Sequence, residues 1–246
     1  MKNYKLTIAY DGSRYYGWEH QPDQELTIQG KIETVVEKLT GTFSEIICAG
    51  RTDAGVHAKG MVASAKIETD LNEKELKDSI NHYLPDDICI VDLKEASERF
   101  HARYNAVGKT YCYTCYYGEN KPLFDRKYVY RLDKMPNIEL MKQAASILEG
   151  EHDFASFCSN PKMKKSTVRI VDSIKIVQKG NYITLTYHGT GFLQHMVRIL
   201  TGTILEAGYK KRSLESIQEL LLKKDRPSAG FTAPAQGLCL IEVDYN

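Results

Sequence analysis

The spacing of apolar residues predicts an order of strands and helices, and this order restricts the fold of the chain more than any other feature. From residue 4 to about residue 93 the pattern predicts strand, helix, strand, strand, helix and strand, and the same order begins again after about residue 106. Alternating apolar residues indicate the strands, and apolar residues three and four positions apart indicate the helices. A β-α-β-β-α-β order that occurs twice predicts an α+β fold of two ferredoxin-like (RRM-like) halves.

The repeat predicts an N-terminal domain at residues 1–105 and a C-terminal domain at residues 106–246. Each is expected to form an antiparallel sheet with helices on one face, with a cleft between the two halves. No low-complexity segment or obvious linker separates them, which favours a packed interface. A single irregular α+β domain is the alternative interpretation of the same pattern.

Capping residues locate several of the expected elements. Thr27 and Asn72 are expected N-caps of the first two helices, and Gly41 is expected to end the first of them. A later helix is predicted over about residues 192–207, followed by a closing strand at residues 238–243.

Composition is that of a globular protein and leaves the partner open. The chain has 42% hydrophobic residues, enough for a core, and 33 Lys and Arg against 32 Asp and Glu, a formal charge of +1. Any nucleic-acid surface must therefore come from an uneven distribution of charge. Basic groups at residues 162–169, 210–212 and 223–226 are more often solvated surface than binding sites.

The cysteines and the lengths of the apolar segments indicate the cellular compartment of the protein. The six cysteines are expected to be small buried hydrophobes in a reducing cytoplasm, and no export signal or membrane span is predicted. Cys112 and Cys115 form a CxxC, but no second pair with zinc-like spacing follows, so no metal is expected.

The segment GRTDAGVHA, residues 50–58, lies between two predicted strands and has the most unusual composition. Its glycines permit a tight backbone path and the close approach of a ligand. Arg51, two residues from Asp53, can help to keep that carboxylate ionised in a partly buried site, as a nucleophile requires. Spacing alone favours another interpretation, in which Asp53 caps its own backbone and Arg51 makes a surface ion pair.

The complete string GRTDAGVHA closely resembles the catalytic signature of the bacterial tRNA pseudouridine synthase A family. Five other segments resemble blocks of that family in the same order along the chain: SRYYGWEHQPDQELTIQGKIE (residues 13–33), FHARYNAVGKTYCY (100–113), HDFASF (152–157), GFLQHMVRILTG (191–202) and TAPAQGLCLIEV (232–243). The resemblance covers most of the chain. It implies a homodimer that isomerises uridine to pseudouridine in the anticodon stem-loop of tRNA, around nucleotides 38 to 40, without a cofactor.

The resemblance also implies roles for single residues. Asp53 takes the place of the aspartate that attacks the target nucleoside. Arg51 and Arg198 correspond to arginines that enter the active-site cleft, with Arg198 expected to pair with Asp53. Tyr111 corresponds to the aromatic residue packed on the target base. Four further residues are expected to contact RNA or to shape the site: Arg14, His57, Arg103 and Lys109.

Sequence position by itself gives two of these residues ordinary roles. Arg198 would be a solvent-facing helix residue, and Tyr111 would belong to the core or to a cross-strand pair. The chain also departs from the family pattern at Glu19 and Met61, where glutamine is usual. Glu19 puts a negative charge near an expected phosphate surface, so the choice of RNA and of uridine stays open.

The chemistry requires that the target base leave its stack and stay bound after its bond to ribose breaks. Tyr111 is the candidate surface for the detached base, because stacking on an aromatic ring tolerates rotation of the base. Three routes remain open for Asp53: attack on C6 of uracil, attack on C1′, or deprotonation of the sugar to give a glycal.

Three other functions are alternatives. A non-catalytic RNA-binding protein on the same scaffold is opposed by the intact set of candidate catalytic residues. A hydrolase that uses Asp53 would usually need a second carboxylate or a metal site, and neither can be assigned. The same isomerisation at another RNA site, such as ribosomal RNA, is kept open by Glu19 and Met61.

Overall fold

The computed structural model describes residues 1–21, 26–160 and 162–246, so part of the segment 13–33 compared above, residues 22–25, lies outside the described residues. The chain divides into two compact units, which are named here unit 1 (residues 1–107 and 239–246) and unit 2 (residues 108–238). Both units combine helices with a mostly antiparallel sheet, which confirms the predicted α+β class.

The described residues form ten strands and five α-helices. In chain order they are β1 (Lys2–Tyr10), α1 (Ile28–Thr40), β2 (Ile47–Cys48), β3 (His57–Ile67), α2 (Glu73–Tyr83), β4 (Ile88–Glu95), β5 (Ala106–Tyr116), β6 (Tyr130–Arg131), α3 (Ile138–Leu148), β7 (Gly150–Asp153), β8 (Val168–Lys179), β9 (Tyr182–Gly189), α4 (Met196–Gly208), α5 (Leu214–Lys223) and β10 (Leu238–Tyr245). Most of these elements lie where the apolar periods predicted them.

Unit 1 has the strand order β4-β1-β3-β10, and β2 also pairs with β3. The pairs of β1 with β3 and β4 are antiparallel, and every second residue from Tyr4 to Tyr10 is buried, as the alternating pattern predicted. The hydroxyl of Thr27 accepts a hydrogen bond from the N–H of Gly30 (3.2 Å), and Gly41 ends α1 with φ 73°. Asn72 and Glu75 form a capping box at the start of α2. The predicted caps of both helices are confirmed.

Unit 2 has the strand order β5-β9-β8-β7, all antiparallel, and the short β6 pairs in parallel with β5. Helix α3 packs against α4, α5 and β8. Helix α4 begins at Met196 and not near residue 192 as predicted, because His195 has φ 61° and therefore cannot continue a helix toward the N-terminus. Residues 192–195 consequently form an irregular segment ahead of α4.

The closing strand β10 lies in unit 1, whereas the sequence pattern grouped it with the second half of the chain. It runs parallel to β3, with Cys239 opposite His57 and Leu240 opposite Ala58. The alternation of apolar residues predicts that a segment is a strand, but it does not show with which distant strand the segment pairs. The pairing places β10 beside the first residues of β3, directly after the segment that contains Asp53.

The six cysteines differ in their burial. Cys48, Cys115 and Cys158 are buried and Cys112 and Cys239 are intermediate, but Cys89 is exposed on an outward position of β4. The prediction that all six cysteines are buried is confirmed for three of them, is met only in part for Cys112 and Cys239, and is wrong for Cys89. Within the three described ranges, no helix is long and apolar enough to cross a membrane.

Candidate active site

Asp53 lies in a short loop of unit 1 between β2 and β3, named here the Asp53 loop (residues 49–56). The N–H of Ala49 donates to the carbonyl of Val62 (2.8 Å), and the N–H of Val56 donates to the carbonyl of Asp53 (3.1 Å). The second bond closes a β-turn in which Gly55 has φ 78°, a left-handed conformation that favours glycine. Asp53, partly exposed, is thus the first residue of a defined turn.

A second loop of unit 1, the aromatic loop (residues 11–18), packs against the Asp53 loop. The N–H of Trp18 donates to the carbonyl of Thr52 (3.1 Å), and the N–H of Gly55 donates to the carbonyl of Tyr15 (3.3 Å). The hydroxyls of Tyr10 and Thr52 form a buried hydrogen bond of 2.7 Å. Since Trp18 is only 1% exposed, the aromatic loop is anchored in the core on one side and on the Asp53 loop on the other.

Two glycines allow this close contact between the loops. A Cβ atom added at Gly12 would lie 2.0 Å from the carbonyl oxygen of Val56. One added at Gly17, which has φ 97°, would lie 2.7 Å from the carbonyl oxygen of Thr52. Both neighbours are backbone atoms, so a side chain could be accommodated only by separating the loops. The glycines of the aromatic loop therefore determine the backbone position of Asp53.

His57, which follows the Asp53 loop, is 5% exposed and supports the aromatic loop from within. Its Nδ1 accepts a hydrogen bond from the N–H of Gly12 (3.1 Å) and also lies 3.1 Å from Oδ1 of Asp11. His57 therefore contacts both Gly12 and Asp11 through Nδ1, and Asp11 also accepts a hydrogen bond from the N–H of Ser13 (2.9 Å).

Arg51 forms an exposed ion pair with Glu19. Its Nη1 lies 2.7 Å from Oε2 and 3.0 Å from Oε1 of that carboxylate, and the two side chains are 58% and 54% exposed. The pair joins the Asp53 loop to the residue that follows the aromatic loop. Its exposure makes it a weak contributor to stability.

The other expected RNA-contacting residues of unit 1 lie at the surface. Arg14 pairs with Asp87, and hydrogen bonds with Tyr15 and Asp87 raise the pKa of Arg14. Burial and the hydrogen bond to Asp87 raise the pKa of Tyr15 to about 12, so its hydroxyl stays protonated. Arg103 is exposed in a turn where its N–H donates to Nδ1 of His101 (3.1 Å).

Unit 2 carries Tyr111 on β5, opposite Tyr187 of β9. Tyr111 is 8% exposed, and its ring meets that of Phe192 edge-on, with ring centroids 5.3 Å apart at 86°. Lys109, two residues earlier on the same strand, is partly exposed opposite Gly189. The irregular segment before α4 thus supplies an aromatic partner for the candidate base-stacking residue.

Arg198 lies in the first turn of α4 and is bound to the segment that precedes β10. Its Nε donates to the carbonyl of Ala233 (2.7 Å), while its own carbonyl accepts from the N–H of Ala233 (3.1 Å). This reciprocal pair fixes both the backbone and the guanidinium plane. Arg198 therefore packs against a neighbouring segment and is only partly exposed, unlike a solvent-facing helix arginine.

The candidate residues fall into two groups, one in each unit. Asp53, Arg51 and His57 lie together in or beside the Asp53 loop, whereas Tyr111 and Arg198 belong to unit 2. The pairing of Arg198 with Asp53 stays a prediction. Sequence reasoning missed the supporting residues Gly12, Thr52 and Phe192, although the glycines flanking an aromatic stretch at residues 12–17 were a usable signal.

A sequence profile of the family described as tRNA pseudouridine synthase matches residues 6–105 and 144–246. Three similar proteins align over 245 residues, covering 100% of this chain and 100% of their own. They are tRNA pseudouridine synthase A 2 of Clostridium perfringens (43% identical), tRNA pseudouridine synthase A 2 of Bacillus anthracis (42%) and tRNA pseudouridine synthase A of Bacillus sp. strain KSM-64 (43%). Fold and matches together define an isomerase of the pseudouridine synthase class. Within that class, the chain belongs to the tRNA pseudouridine synthase family.

Among solved structures, a chain of the crystal structure of a Cbf5-Nop10-Gar1 complex aligns with a TM-score of 0.33 and 12% identity, over 96% of this chain and 57% of that chain. The family assignment is based on the sequence relatives. Among the residues that the structure describes, no group of three or more His, Cys, Asp or Glu side chains is arranged to hold a metal ion.

Proposed function

We propose that this protein converts uridine to pseudouridine in the anticodon stem-loop of tRNA, with Asp53 as the catalytic carboxylate and without a cofactor. The names of the relatives, tRNA pseudouridine synthase A, support the substrate class. In the reaction the bond from C1′ to N1 breaks and a bond from C1′ to C5 forms. C5 loses a proton and N1 gains one, so neither an oxidant nor a group donor is required.

The observation that carries the assignment of Asp53 is the way in which two loops define its position. The turn at residues 53–56 is closed by its own hydrogen bond, and the aromatic loop holds Thr52 and Gly55 through backbone contacts. A carboxylate with a defined backbone and a partly exposed side chain is prepared for reaction with a bound nucleoside. Attack on C6, attack on C1′ and glycal formation all remain compatible with this placement.

The residues of unit 2 complete the proposed site. Tyr111, braced edge-on by Phe192, offers an aromatic surface to the unstacked uracil, an interaction that contributes about 1 to 3 kcal/mol. Arg198 uses its Nε to bind Ala233, so its orientation does not depend on substrate. We propose that its guanidinium stabilises the ionised form of Asp53, because a nearby cation lowers the pKa of a carboxyl group.

The basic residues at the surface are proposed to bind the RNA backbone. Arg14, Arg103 and Lys109 are all at least partly exposed, as phosphate-binding residues must be. Arg51, the arginine expected to enter the active-site cleft, is exposed as well, and we propose that it also contacts a phosphate beside the target uridine. The buried position of His57 instead supports a role in shaping the site. We further propose that the protein works as a homodimer, as the family resemblance implies, and that it works in the cytoplasm, as its cysteine usage suggests.

The catalytic assignment is tested with Asp53→Asn, which removes the charge and keeps the size of the side chain. A tRNA transcript labelled with tritium at C5 of uridine reports the reaction, because C5 releases its hydrogen when it joins C1′. We expect Asp53→Asn to bind the tRNA and to release no tritium above background. Asp70→Asn, the same change at an exposed position of unit 1, should behave like the wild type. Normal release by Asp53→Asn would overturn the assignment.

The substrate site is tested by mapping pseudouridine in total RNA from cells with and without the gene. Loss of pseudouridine around nucleotides 38 to 40 of tRNAs is expected. Loss confined to ribosomal RNA, or to another region of tRNA, would contradict the proposed site while leaving the isomerase activity in place.

A further inference from the structure

The ion pair between Arg51 and Glu19 lies immediately beside the candidate catalytic residue. Arg51 is two residues before Asp53, and both oxygens of Glu19 contact the same guanidinium nitrogen, at 2.7 and 3.0 Å. Both side chains are more than half exposed. An RNA that reaches Asp53 therefore meets an arginine that already holds a carboxylate.

The backbone contacts of the two loops bring these side chains together independently of their attraction. Their neighbours Trp18 and Thr52 are joined by a hydrogen bond of 3.1 Å from N–H to carbonyl, and Trp18 is buried in the core. Removal of the negative charge at residue 19 should consequently leave the Asp53 loop folded. The ion pair can thus be changed without changing the structure that supports it.

A phosphate and the Glu19 carboxylate are competing acceptors for the same cation. Arginine donates two N–H groups to either anion in a similar planar geometry. An exposed ion pair is weak and is screened by salt, so a well-placed phosphate can displace the carboxylate. A phosphate that is poorly placed gains nothing from Arg51 and is repelled by Glu19.

We propose that Glu19 determines RNA specificity by occupying Arg51 until a correctly positioned phosphate displaces it. The proposal deepens the proposed function, since it rests on a contact between Arg51 and RNA. Glu19 lowers the affinity for every RNA, and it lowers the affinity most for RNAs that cannot place a phosphate at Arg51. Glu19 thus weakens RNA binding but increases the difference in affinity between RNAs that can and RNAs that cannot place a phosphate at Arg51.

The test is Glu19→Gln, with affinity for an anticodon stem-loop RNA measured over a range of salt concentrations. We expect binding about two- to fivefold tighter, the change that corresponds to loss of one exposed ion pair. For an unrelated stem-loop, the slope of log affinity against log salt should become steeper by about 0.7 to 0.9, because Arg51 is then free to neutralise one of its phosphates. The slope for the anticodon stem-loop should change little, since its phosphate already displaces Glu19 in the wild type. An unrelated stem-loop should gain more than the anticodon stem-loop, so the ratio of the two affinities falls. The change in tritium release should appear in KM and not in kcat.

A matched control is Glu139→Gln, which releases Lys142 from an exposed pair of similar length (2.8 Å) on α3. It removes the same charge from the protein far along the sequence from the Asp53 loop. Neither affinity nor the salt slope should change. An equal gain in this control would show a general effect of net charge and would overturn the proposal.

Arg51→Gln and the double variant Glu19→Gln/Arg51→Gln distinguish the contact between Arg51 and RNA from the competition by Glu19 for Arg51. If Arg51→Gln binds RNA as tightly as the wild type, the RNA contact in the proposed function fails, and this inference fails with it. If Arg51→Gln weakens binding but Glu19→Gln changes neither affinity nor slope, only the inference fails. The proposal requires that Glu19→Gln lower the discrimination between the two stem-loops when Arg51 is present and leave it unchanged in the Arg51→Gln background, where any gain is relief of repulsion shared by both RNAs.

Discussion

Unit 1 holds its candidate catalytic residue on a loop, whereas unit 2 carries its candidate residues on a strand and a helix. The position of Asp53 depends on backbone atoms of two loops that touch at Gly12 and Gly17. Tyr111 and Arg198 take their backbone position from β5 and α4, and their side chains are oriented by Phe192 and Ala233. The loop achieves by close backbone contact what regular secondary structure provides in unit 2.

This difference indicates where each group is vulnerable. Backbone contacts fail when any side-chain volume is inserted between the loops, even by a single methyl group. Side-chain contacts fail when the donor geometry or the ring is altered, while the strand and the helix remain. The expected results of substitution therefore differ between the two units.

The largest effect is expected for Gly12→Ala. The new Cβ would lie 2.0 Å from the carbonyl oxygen of Val56, an overlap that forces the loops apart. We expect a loss of stability of about 3 kcal/mol or more, measured by urea unfolding, together with loss of tritium release. Gly41→Ala is the control, because Gly41 has φ 73° but nothing within 4 Å of its Cβ position. It should lose about 1 kcal/mol and stay active; equal stability of the two variants would contradict the dependence on loop contact.

A smaller effect, confined to catalysis, is expected for Arg198→Lys. Lysine keeps the charge but cannot reproduce the Nε–H donor to Ala233, so the cation loses its fixed orientation. We expect kcat for tritium release to fall about 10- to 100-fold with little change in the unfolding midpoint. Arg126→Lys replaces another arginine of unit 2 that donates to a backbone carbonyl and should retain the wild-type kcat. Full activity of Arg198→Lys would show that its orientation does not matter.

The smallest effect is expected for two similar tyrosine–threonine hydrogen bonds, one in each unit. Tyr10 bonds Thr52 at 2.7 Å in unit 1, and Tyr187 bonds Thr201 at 2.8 Å in unit 2, both buried. Replacement of either tyrosine by phenylalanine should lower stability by about 1 to 2 kcal/mol, because a buried hydroxyl loses its partner. Only Tyr10→Phe should also lower kcat, by about two- to fivefold, since Thr52 adjoins Asp53. Equal kcat values for the two variants would argue against coupling through Thr52.

The sequence predicted best what depends on neighbouring residues. Thr27 and Asn72 begin their helices and Gly41 ends α1 through contacts with residues a few positions away, so these roles are visible in the local sequence. The Asp53 loop was found because its complete string resembles a known signature. Its spacing alone indicated a surface ion pair of Arg51, and the structure does contain one, with Glu19.

Features that depend on distant residues were not predicted. The contact of Gly12 with Val56 and the bond from Gly12 to His57 join segments more than forty residues apart. The left-handed His195 makes α4 begin later than predicted and leaves Phe192 outside the helix, where it can meet Tyr111. The apolar period continues through residues 192–207 regardless of that backbone conformation, so the period alone could not show where the helix begins.

The position of β10 has a consequence for the order in which the protein folds during synthesis. Residues 108–238 are contiguous and leave the ribosome before β10, so unit 2 can fold while unit 1 still lacks a strand. Until β10 arrives, the start of β3 keeps unpaired backbone groups, and such edges promote aggregation. The segment next to Asp53 can therefore gain its neighbouring strand only after residues 238–245 have been translated. Ribosome stalling before that point would prolong the time during which the edge of β3 is unpaired.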